Sequence, residues 1–491
     1  MHALLLLAPL VLAAPKKAPP AAPAPEPAPA VVEAPAPPPA PPDPLAERPA
    51  IGAEVPFSVK APATAKLSNG VSVWVAPQPS LPLVTLVLSV PGGASLDAPG
   101  AQGLQWLTDR MLTQGAAGKD AAAFAEALEQ LGASIDVSTG HTASTVTLTT
   151  RKAELARALD LVADAIVRPT FKKKAVVRER DLAVAALVAD ADEPVSVATR
   201  LAWARWFGAG HPYANPTDGT VAGLGTLDAK QVKARWREAW GADGATVTVA
   251  GDVTLDEVVP LLETRLGAAW KAARRAVSAA PPVPARAARS VVVVDKPGAS
   301  QTMFSLVFPG AALGTPQVAP ARVGTIALGG TFTSRLNALL REKRGYTYGV
   351  RASLVALPGT GILTIGTRIR TDATGPAMSD LLGELETIRK GVTPEEVVKA
   401  RSAYRQDLVE AMESRAGVAG TFAGWHVAGL APTALDADLS ATGATDRDAV
   451  TTAMQAYDAS KALIVLVGDL AVIKPGLEAA GVTDFEVVVP L

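Results

Sequence analysis

Apolar residues recur at helical spacing in a segment near the start of the chain, between residues 103 and 115. Leu104, Leu107, Met111 and Leu112 stand where one face of a helix would bring them together. A glycine closes the segment, and glycine often ends a helix. The pattern therefore predicts a helix with one buried face.

Other segments alternate between strand and helix patterns. Residues 65–75 predict two strands around the Asn69-Gly70 turn, since Asn-Gly favours tight hairpins. Further strands are predicted at residues 84–90, 133–137, 142–149 and 245–249. Helices are predicted at residues 120–131, 153–167 and 172–188, and after the strand at 245–249.

Two landmarks recur in the second half of the chain. Pro91-Gly92-Gly93-Ala94 matches Pro309-Gly310-Ala311-Ala312 at an offset of 218 residues, and Gly251-Asp252 matches Gly468-Asp469 at an offset of 217 residues. The order of elements matches as well, which predicts an internal duplication. Because strands and helices do not strictly alternate, the expected fold class is α+β. We expect two similar domains, each with helices on one face of a largely antiparallel sheet.

The duplication and the composition together suggest domain boundaries. Residues 55–270 and 288–491 form the two expected domains, and the Ala/Pro/Arg-rich residues 271–287 form the linker between them. Residues 15–54 are almost wholly Ala, Pro and acidic residues and predict an extended spacer.

The first residues predict a targeting signal. The apolar run from Ala3 to Ala14 has the length of a signal-peptide core and is too short to cross about 30 Å of hydrocarbon. We therefore expect residues 1–14 to be a signal peptide and the protein to be exported to the bacterial periplasm or cell envelope. An uncleaved segment that tethers the protein to the membrane is the alternative.

Composition excludes several kinds of site. The formal net charge is −1, so nothing favours nucleic acid as a partner, and the absence of cysteine rules out disulfides and thiolate metal sites. The chain has 4 histidines, and no two of them are four residues apart. A helical His-x-x-x-His zinc pair therefore cannot form.

The helix pattern from Gly103 to Gly115 resembles the zinc-site helix of the pitrilysin/insulinase-like metallopeptidases, the inverzincins, whose motif is His-x-x-Glu-His. In that alignment Trp106 and Arg110 occupy the histidine positions and Asp109 the glutamate position. The family's third zinc ligand follows a Glu-Arg pair, here Glu179-Arg180, and its position falls on Ala186.

The resemblance therefore implies a degenerate zinc site. Tryptophan, arginine and alanine offer no lone pair to a metal, so we expect no zinc or other cofactor in this chain. Asp109 and Arg110 are then open to interpretation as a solvent-exposed pair, with Trp106 filling the vacated metal pocket.

A second motif lies in the second half. The segment Leu340-Arg341-Glu342-Lys343-Arg344-Gly345-Tyr346-Thr347-Tyr348 resembles the C-terminal motif of the same family. In that family an arginine, and a tyrosine seven residues later, reach the active site of another domain or subunit, which implies a substrate-binding role for Arg341 and Tyr348.

The alternatives for this motif are structural. Arg341 could cap its own helix while Tyr348 packs, or the register could shift to Arg344 and Tyr346. The sequence predicts that the helix ends at Gly345 and that a strand covers residues 346–350.

The family's peptides bind by adding a strand to a sheet edge. The glycine-rich segments at Pro91–Ala94 and Gly359–Gly366 are candidates for such edges, although turns explain their glycines equally well.

These observations lead to three functional hypotheses. The first is a non-catalytic, substrate-binding subunit of a two-chain peptidase, in which a partner of the same family carries the zinc and this chain supplies Arg341 and Tyr348. The second is a peptide-binding or scaffold protein without enzymatic activity. The third, a self-sufficient metallopeptidase with a rebuilt site, is disfavoured because so few histidines exist.

Overall fold

The computed structural model describes residues 55–272 and 280–488. The predicted signal peptide, nearly all of the predicted spacer and part of the predicted linker lie outside these residues. From Phe57 onward the described chain packs as one unit.

The first sheet contains six strands within the described residues, in the order β1-β2-β6-β3-β5-β4. Their bounds are β1 Ala63–Lys66, β2 Ser72–Pro77, β3 Leu83–Pro91, β4 Ser134–Thr139, β5 Ala143–Arg151 and β6 Thr246–Gly251. Only β2 and β6 run parallel in this sheet. The predicted hairpin is confirmed, since β1 and β2 pair antiparallel across a turn in which Gly70 has a φ of 90°.

The second sheet repeats this plan in the order β12-β7-β11-β8-β10-β9. Its strands are β7 Ser290–Asp295, β8 Gln301–Pro309, β9 Val350–Leu357, β10 Thr360–Arg370, β11 Leu463–Gly468 and β12 Glu486–Val488. Position by position, β7, β11, β8, β10 and β9 correspond to β2, β6, β3, β5 and β4. The predicted duplication and the α+β class are therefore confirmed.

Helices follow each group of strands. In the first half they are α1 Leu104–Arg110, α2 Ala121–Leu131, α3 Leu155–Val167, α4 Lys173–Asp190, α5 Pro194–Phe207, α6 Val221–Gly225, α7 Ala229–Ala239 and α8 Leu255–Leu262. In the second half they are α9 Val318–Thr325, α10 Thr374–Arg389, α11 Pro394–Glu413, α12 Arg415–Val427, α13 Ala434–Ala444, α14 Arg447–Met454 and α15 Leu470–Ala479. Three segments are π-helical: Glu263–Gly267, Ile326–Gly330 and Asn337–Lys343. Single 3₁₀ turns lie at Gly93–Leu96, Met111–Thr113, Lys152–Glu154, Pro212–Ala214, Thr371–Ala373 and Ala459–Lys461. None of the helices in the described part of the chain is long and apolar enough to cross a membrane.

The central strands of each sheet are covered on both faces: helices of the same half lie on one face, as expected, and a helix of the other half covers the second face. Every residue of β6 and of β11 is buried. The second face of the first sheet packs against α12, where Val418 and Phe422 lie against Trp74 and Val87. In return, α5 of the first half packs on β8 and β11 of the second sheet. Each half thus contributes one helix to the sheet of the other half.

Two predictions about the strands are wrong. Residues 346–349 form a loop, and the strand begins only at Val350, because the chain must first leave the helix end at Gly345, which has a φ of 63°. The glycine-rich segments do not lie at sheet edges either. Pro91 belongs to β3, which has strands on both sides, and the Gly359–Gly366 segment forms a turn and then the interior strand β10. The edges are β1 and β4 in the first sheet and β12 and β9 in the second sheet.

Candidate functional site

Helix α1, which carries Trp106, Asp109 and Arg110, is fixed at its start by a buried aspartate. Asp97 accepts hydrogen bonds from the backbone N–H of Gly103 at 2.7 Å and of Gln105 at 2.9 Å. Gly103 has a φ of 101°, and a Cβ there would meet Leu224 Cδ2 at 2.7 Å. Only glycine fits this position, so the helix begins where the sequence pattern predicts.

Asp109 is almost wholly buried, at 1% exposure, and both of its carboxylate oxygens are engaged. Oδ1 accepts from Gln105 Nε2 at 2.7 Å and from Trp240 Nε1 at 2.8 Å. Oδ2 accepts from Thr139 Oγ1 at 2.6 Å and from the hydroxyl of Ser144. The carboxylate therefore joins α1 to β4, to β5 and to the end of α7.

Burial dominates the acidity of this group. It raises the pKa of Asp109 from 3.8 to about 6, although the four hydrogen bonds pull the pKa down. Burial likewise raises the pKa of Asp97 to about 6, against the lowering effect of its backbone donors and of Arg235. Both aspartates hold α1 in place, and neither faces open solvent.

Arg110 is engaged with a different carboxylate. Its Nε lies 3.1 Å from Glu179 Oε2, and the side chain of Glu179 is only 6% exposed. Arg178 pairs with the other oxygen of Glu179 at 3.0 Å. The interpretation of Asp109 and Arg110 as a solvent-exposed pair is therefore wrong, because Asp109 is buried and Arg110 bonds to α4.

The remaining positions of the degenerate site offer no ligand. Trp106 is half-buried and packs against the apolar cluster between α1, α4 and α6. Ala186 is exposed on α4, two helical turns beyond Glu179. Within residues 55–272 and 280–488, no three His, Asp or Glu side chains are grouped so that they could hold a metal ion.

The chemistry of this site follows from its donors. A hydrolytic zinc centre needs about three protein ligands and a carboxylate that can reach the metal-bound water. Here the ligand positions are Trp106, Arg110 and Ala186, and all four hydrogen bonds of Asp109 go to protein groups. The residues present do not fit zinc, and the carboxylate is structural.

The second motif lies at the end of the π-helical segment Asn337–Lys343. The side chain of Arg341 is 29% exposed, and its Cζ lies 3.6 Å from the ring centroid of Phe332. Tyr348 is 92% exposed, the most exposed of the large apolar or aromatic side chains in the described residues. Capping by Arg341 and packing by Tyr348 are not observed.

In the alternative register the candidates are Arg344 and Tyr346, and both side chains already contact other parts of the protein. Arg344 donates to both carboxylate oxygens of Asp380, at 2.8 and 3.0 Å. Tyr346 packs against the core of the second half, and its backbone N–H donates to Leu340 O at 2.9 Å.

Sequence reasoning missed several residues of both sites. Thr139, Ser144 and Trp240 meet Asp109 only through tertiary folding, so no local pattern marks them. Gln105 carries a detectable signal, because it stands one helical turn before Asp109 on the same face. Phe332 is missed because it lies in the turn before the helix that carries Arg341.

The duplicated α+β fold and the zinc-helix position without ligands define a metallopeptidase-like protein with a degenerate metal site. The chain belongs to the insulinase family, peptidase family M16: its family profile matches residues 73–217, and the profile of the peptidase M16 inactive domain matches residues 226–404.

Similar proteins agree with this assignment. An uncharacterized zinc protease of Rickettsia bellii is 22% identical over 349 residues, which cover 71% of this chain and 83% of that protein. The non-peptidase homolog YmxG of Helicobacter pylori is 25% identical over 334 residues, which cover 65% of this chain and 74% of that protein. The crystal structure of a peptidase M16 inactive domain from Pseudomonas fluorescens superposes with a TM-score of 0.77 at 25% identity, covering 83% of this chain and 98% of that one.

Proposed function

We propose that this chain is the non-catalytic, substrate-binding subunit of a two-chain zinc metallopeptidase that degrades or processes peptides. A partner of the same family would carry the His-x-x-Glu-His helix and the zinc. This chain would contribute Arg341 and Tyr348, which hold the carbonyl of the bound peptide. We further propose that the protein works outside the cytoplasm, in the periplasm or cell envelope, with a membrane tether as the alternative to a cleaved signal peptide.

One observation carries this proposal. The candidate ligand positions Trp106, Arg110 and Ala186 offer no zinc ligand, and the Asp109 carboxylate is enclosed by protein donors. Tyr348, in contrast, presents an exposed phenol, and the guanidinium of Arg341 belongs to a side chain that is 29% exposed. Two polar groups of this kind suit a peptide carbonyl, since a guanidinium donates parallel hydrogen bonds and a phenol donates one more. Arg344 and Tyr346 are occupied by the protein itself, which supports the chosen register.

The first experiment is to isolate the tagged protein from the producing cell and to identify the chains that co-purify by mass spectrometry. Recovery of a stoichiometric chain with an intact His-x-x-Glu-His motif supports the two-chain peptidase. If the protein is recovered alone or with unrelated chains, the two-chain peptidase is not its function.

Substitution of Arg341 tests the assignment within the active complex. Arg341→Ala and Tyr348→Phe should each lower turnover, by about 10²-fold if they donate to the oxyanion, while the zinc content stays unchanged. Peptide hydrolysis and metal analysis of the same preparations check this.

Arg344→Ala and Tyr346→Phe are matched controls within the same motif, and they should leave turnover near the wild-type value. If the controls lower turnover and the Arg341 and Tyr348 variants do not, the register is wrong. If all four variants are fully active, this motif does not bind substrate.

The similarity to a non-peptidase homolog of H. pylori favours a second candidate, a peptide-binding or scaffold protein without enzymatic activity. The edge strand β4 exposes alternate residues and could accept a peptide as an added strand. The protein would be mixed with each of the chains that co-purify with it. If every mixture binds peptide and none cleaves it, this candidate is favoured.

A further inference from the structure

An exposed phenylalanine lies under the proposed substrate-binding arginine. Phe332 is 63% exposed and stands in the turn between the π-helical segments Ile326–Gly330 and Asn337–Lys343. The guanidinium of Arg341 covers its ring, with Cζ 3.6 Å from the ring centroid. A cation at this distance from an aromatic face is attracted by the ring quadrupole.

Arg341 differs from the other arginines of the same segment. Arg335 is held by both oxygens of Glu396, at 2.5 and 2.6 Å, and Arg344 is held by both oxygens of Asp380. These carboxylates occupy the donors and neutralise the charge of both side chains.

No such pair exists for Arg341 in the described chain. Its nearest carboxylate is that of the adjacent Glu342, with Nε 3.6 Å from Oε1, and Glu342 is itself 60% exposed. The Nη1 atom of Arg341 is buried and has no hydrogen-bond partner. Within the described residues the guanidinium therefore contacts the ring of Phe332 and the carboxylate of Glu342, and no carboxylate holds it through paired hydrogen bonds.

A buried asparagine fixes the three segments that carry the surface residues. Asn337 Nδ2 donates to Thr331 O at 3.0 Å and to Val350 O at 2.8 Å, and its Oδ1 accepts from the N–H of Val350 at 2.9 Å. Thr331 directly precedes Phe332, Asn337 lies one turn before Arg341, and Val350 follows the loop of Tyr348. The backbone at all three positions is thus held by one side chain.

We infer that Phe332 is a positioning residue that orients Arg341 for a peptide oxygen while leaving the donors of the guanidinium unoccupied. A carboxylate in place of the ring would hold the arginine equally firmly but would compete with the ligand. The ligand is an oxygen acceptor of a peptide, either a backbone carbonyl or a C-terminal carboxylate. This inference rests on the proposed function, because it assumes that Arg341 binds peptide.

The orientation of Arg341 is tested without any ligand. Protons over an aromatic face shift upfield, so the side-chain Nε–H of Arg341 in the arginine-labelled full-length chain should resonate upfield in the NMR spectrum. Phe332→Leu should remove the shift and Phe332→Trp should retain it. If Phe332→Leu leaves the resonance unchanged, the ring does not position Arg341 and the inference fails.

Binding is tested with a fluorescein-labelled pool of random-sequence peptides and the full-length chain in its purified complex. Phe332→Leu should raise the Kd about two- to fivefold, Phe332→Trp should restore it, and Phe332→Leu should have no further effect in Arg341→Ala. Leu182→Ala, a matched change at a 59% exposed apolar side chain on α4, should have no effect. Pools with free and with amidated C-termini separate the two acceptors, since only a carboxylate site loses affinity on amidation.

The outcomes separate the two proposals. If Arg341→Ala weakens binding but Phe332→Leu does not, the role of Phe332 is wrong and the proposed function stands. If neither Arg341→Ala nor Phe332→Leu changes the Kd, or if the wild-type complex does not bind the pool, the proposed function fails and the inference fails with it.

Discussion

Asp109 has a structural role in this chain, because its carboxylate is almost wholly buried beside helix α1. Four side chains donate hydrogen bonds to it: Gln105 of α1 itself, Thr139 of β4, Ser144 of β5 and Trp240 at the end of α7. These hydrogen bonds matter for stability, because a buried polar group without a partner costs about 1–3 kcal/mol.

The raised pKa of Asp109 predicts a pH dependence of stability. The folded state holds the proton more tightly than the unfolded state, so the contribution of Asp109 is complete below pH 3.8 and is lost as the pH rises through about 6. Asp109→Asn removes this dependence. The free energy of unfolding of the wild type minus that of Asp109→Asn should therefore fall by about 2–3 kcal/mol between pH 4 and pH 7.

Urea unfolding at several pH values measures this difference. Asp243→Asn serves as control for the loss of one carboxylate, because Asp243 is exposed. A difference for Asp109→Asn that does not change with pH would show that the buried carboxylate does not titrate in this range.

At the scale of single residues, side-chain chemistry and tertiary structure answer different questions. Trp106, Arg110 and Ala186 carry no zinc-binding lone pair in any fold, so the prediction that they do not bind zinc rests on the sequence alone. The burial of Asp109 was not evident from the sequence, because its donors Thr139 and Trp240 are distant in sequence.

At the scale of elements, the exchanged helices α5 and α12 determine how the sheets are closed. On α12, Val418, Phe422 and His426 follow helical spacing and face the first sheet. The ring of His426 stacks on Trp74 at 4.0 Å, and its Nε2 lies 2.7 Å from Ser72 Oγ. The side chains of the second half therefore complete the core of the first.

Truncation of Phe422 tests this element. Phe422 is 2% exposed, and Phe422→Ala should lower the free energy of unfolding by about 3–5 kcal/mol through lost burial and the cavity left behind. The measurement is the urea midpoint followed by tryptophan fluorescence, which reports on Trp74 nearby.

Val472→Ala on α15 is the control for this substitution, since Val472 is 53% exposed and should change stability by less than about 0.5 kcal/mol. A loss for Phe422→Ala as small as that of the control would mean that α12 contributes little to the core.

Sequence patterns predicted where strands and helices occur better than they predicted which elements pack against each other. Strand β3 was evident because a continuous apolar run marks a strand buried on both faces. Two copies of one pattern do not show which half supplies the helix that covers the second face of each sheet. The strand expected at residues 346–350 was misplaced because its aromatic residues favour β structure, whereas the helix end at Gly345 requires a loop first.

At the scale of the whole molecule, the exchange makes the two halves mutually dependent. A fragment of residues 55–272 lacks α12 and exposes Trp74, Val87 and Ala250 of the first sheet. A fragment of residues 280–488 lacks α5 and exposes Val292, Val465 and Val467 of the second sheet. Apolar sheet faces of this kind drive aggregation when they meet water.

Separating the halves should therefore reveal how strongly each depends on the other. Each fragment expressed alone should be insoluble or bind a hydrophobic dye such as ANS, whereas co-expression should give a soluble one-to-one complex with the thermal transition of the intact chain. Cleavage at a protease site inserted between residues 272 and 280 should likewise leave the halves together on size exclusion. A soluble, dye-free first half with its own cooperative transition would contradict this. It would also show that the two halves fold as independent domains, as the linker in the sequence suggested. The exchanged helices would then not join them into one folding unit.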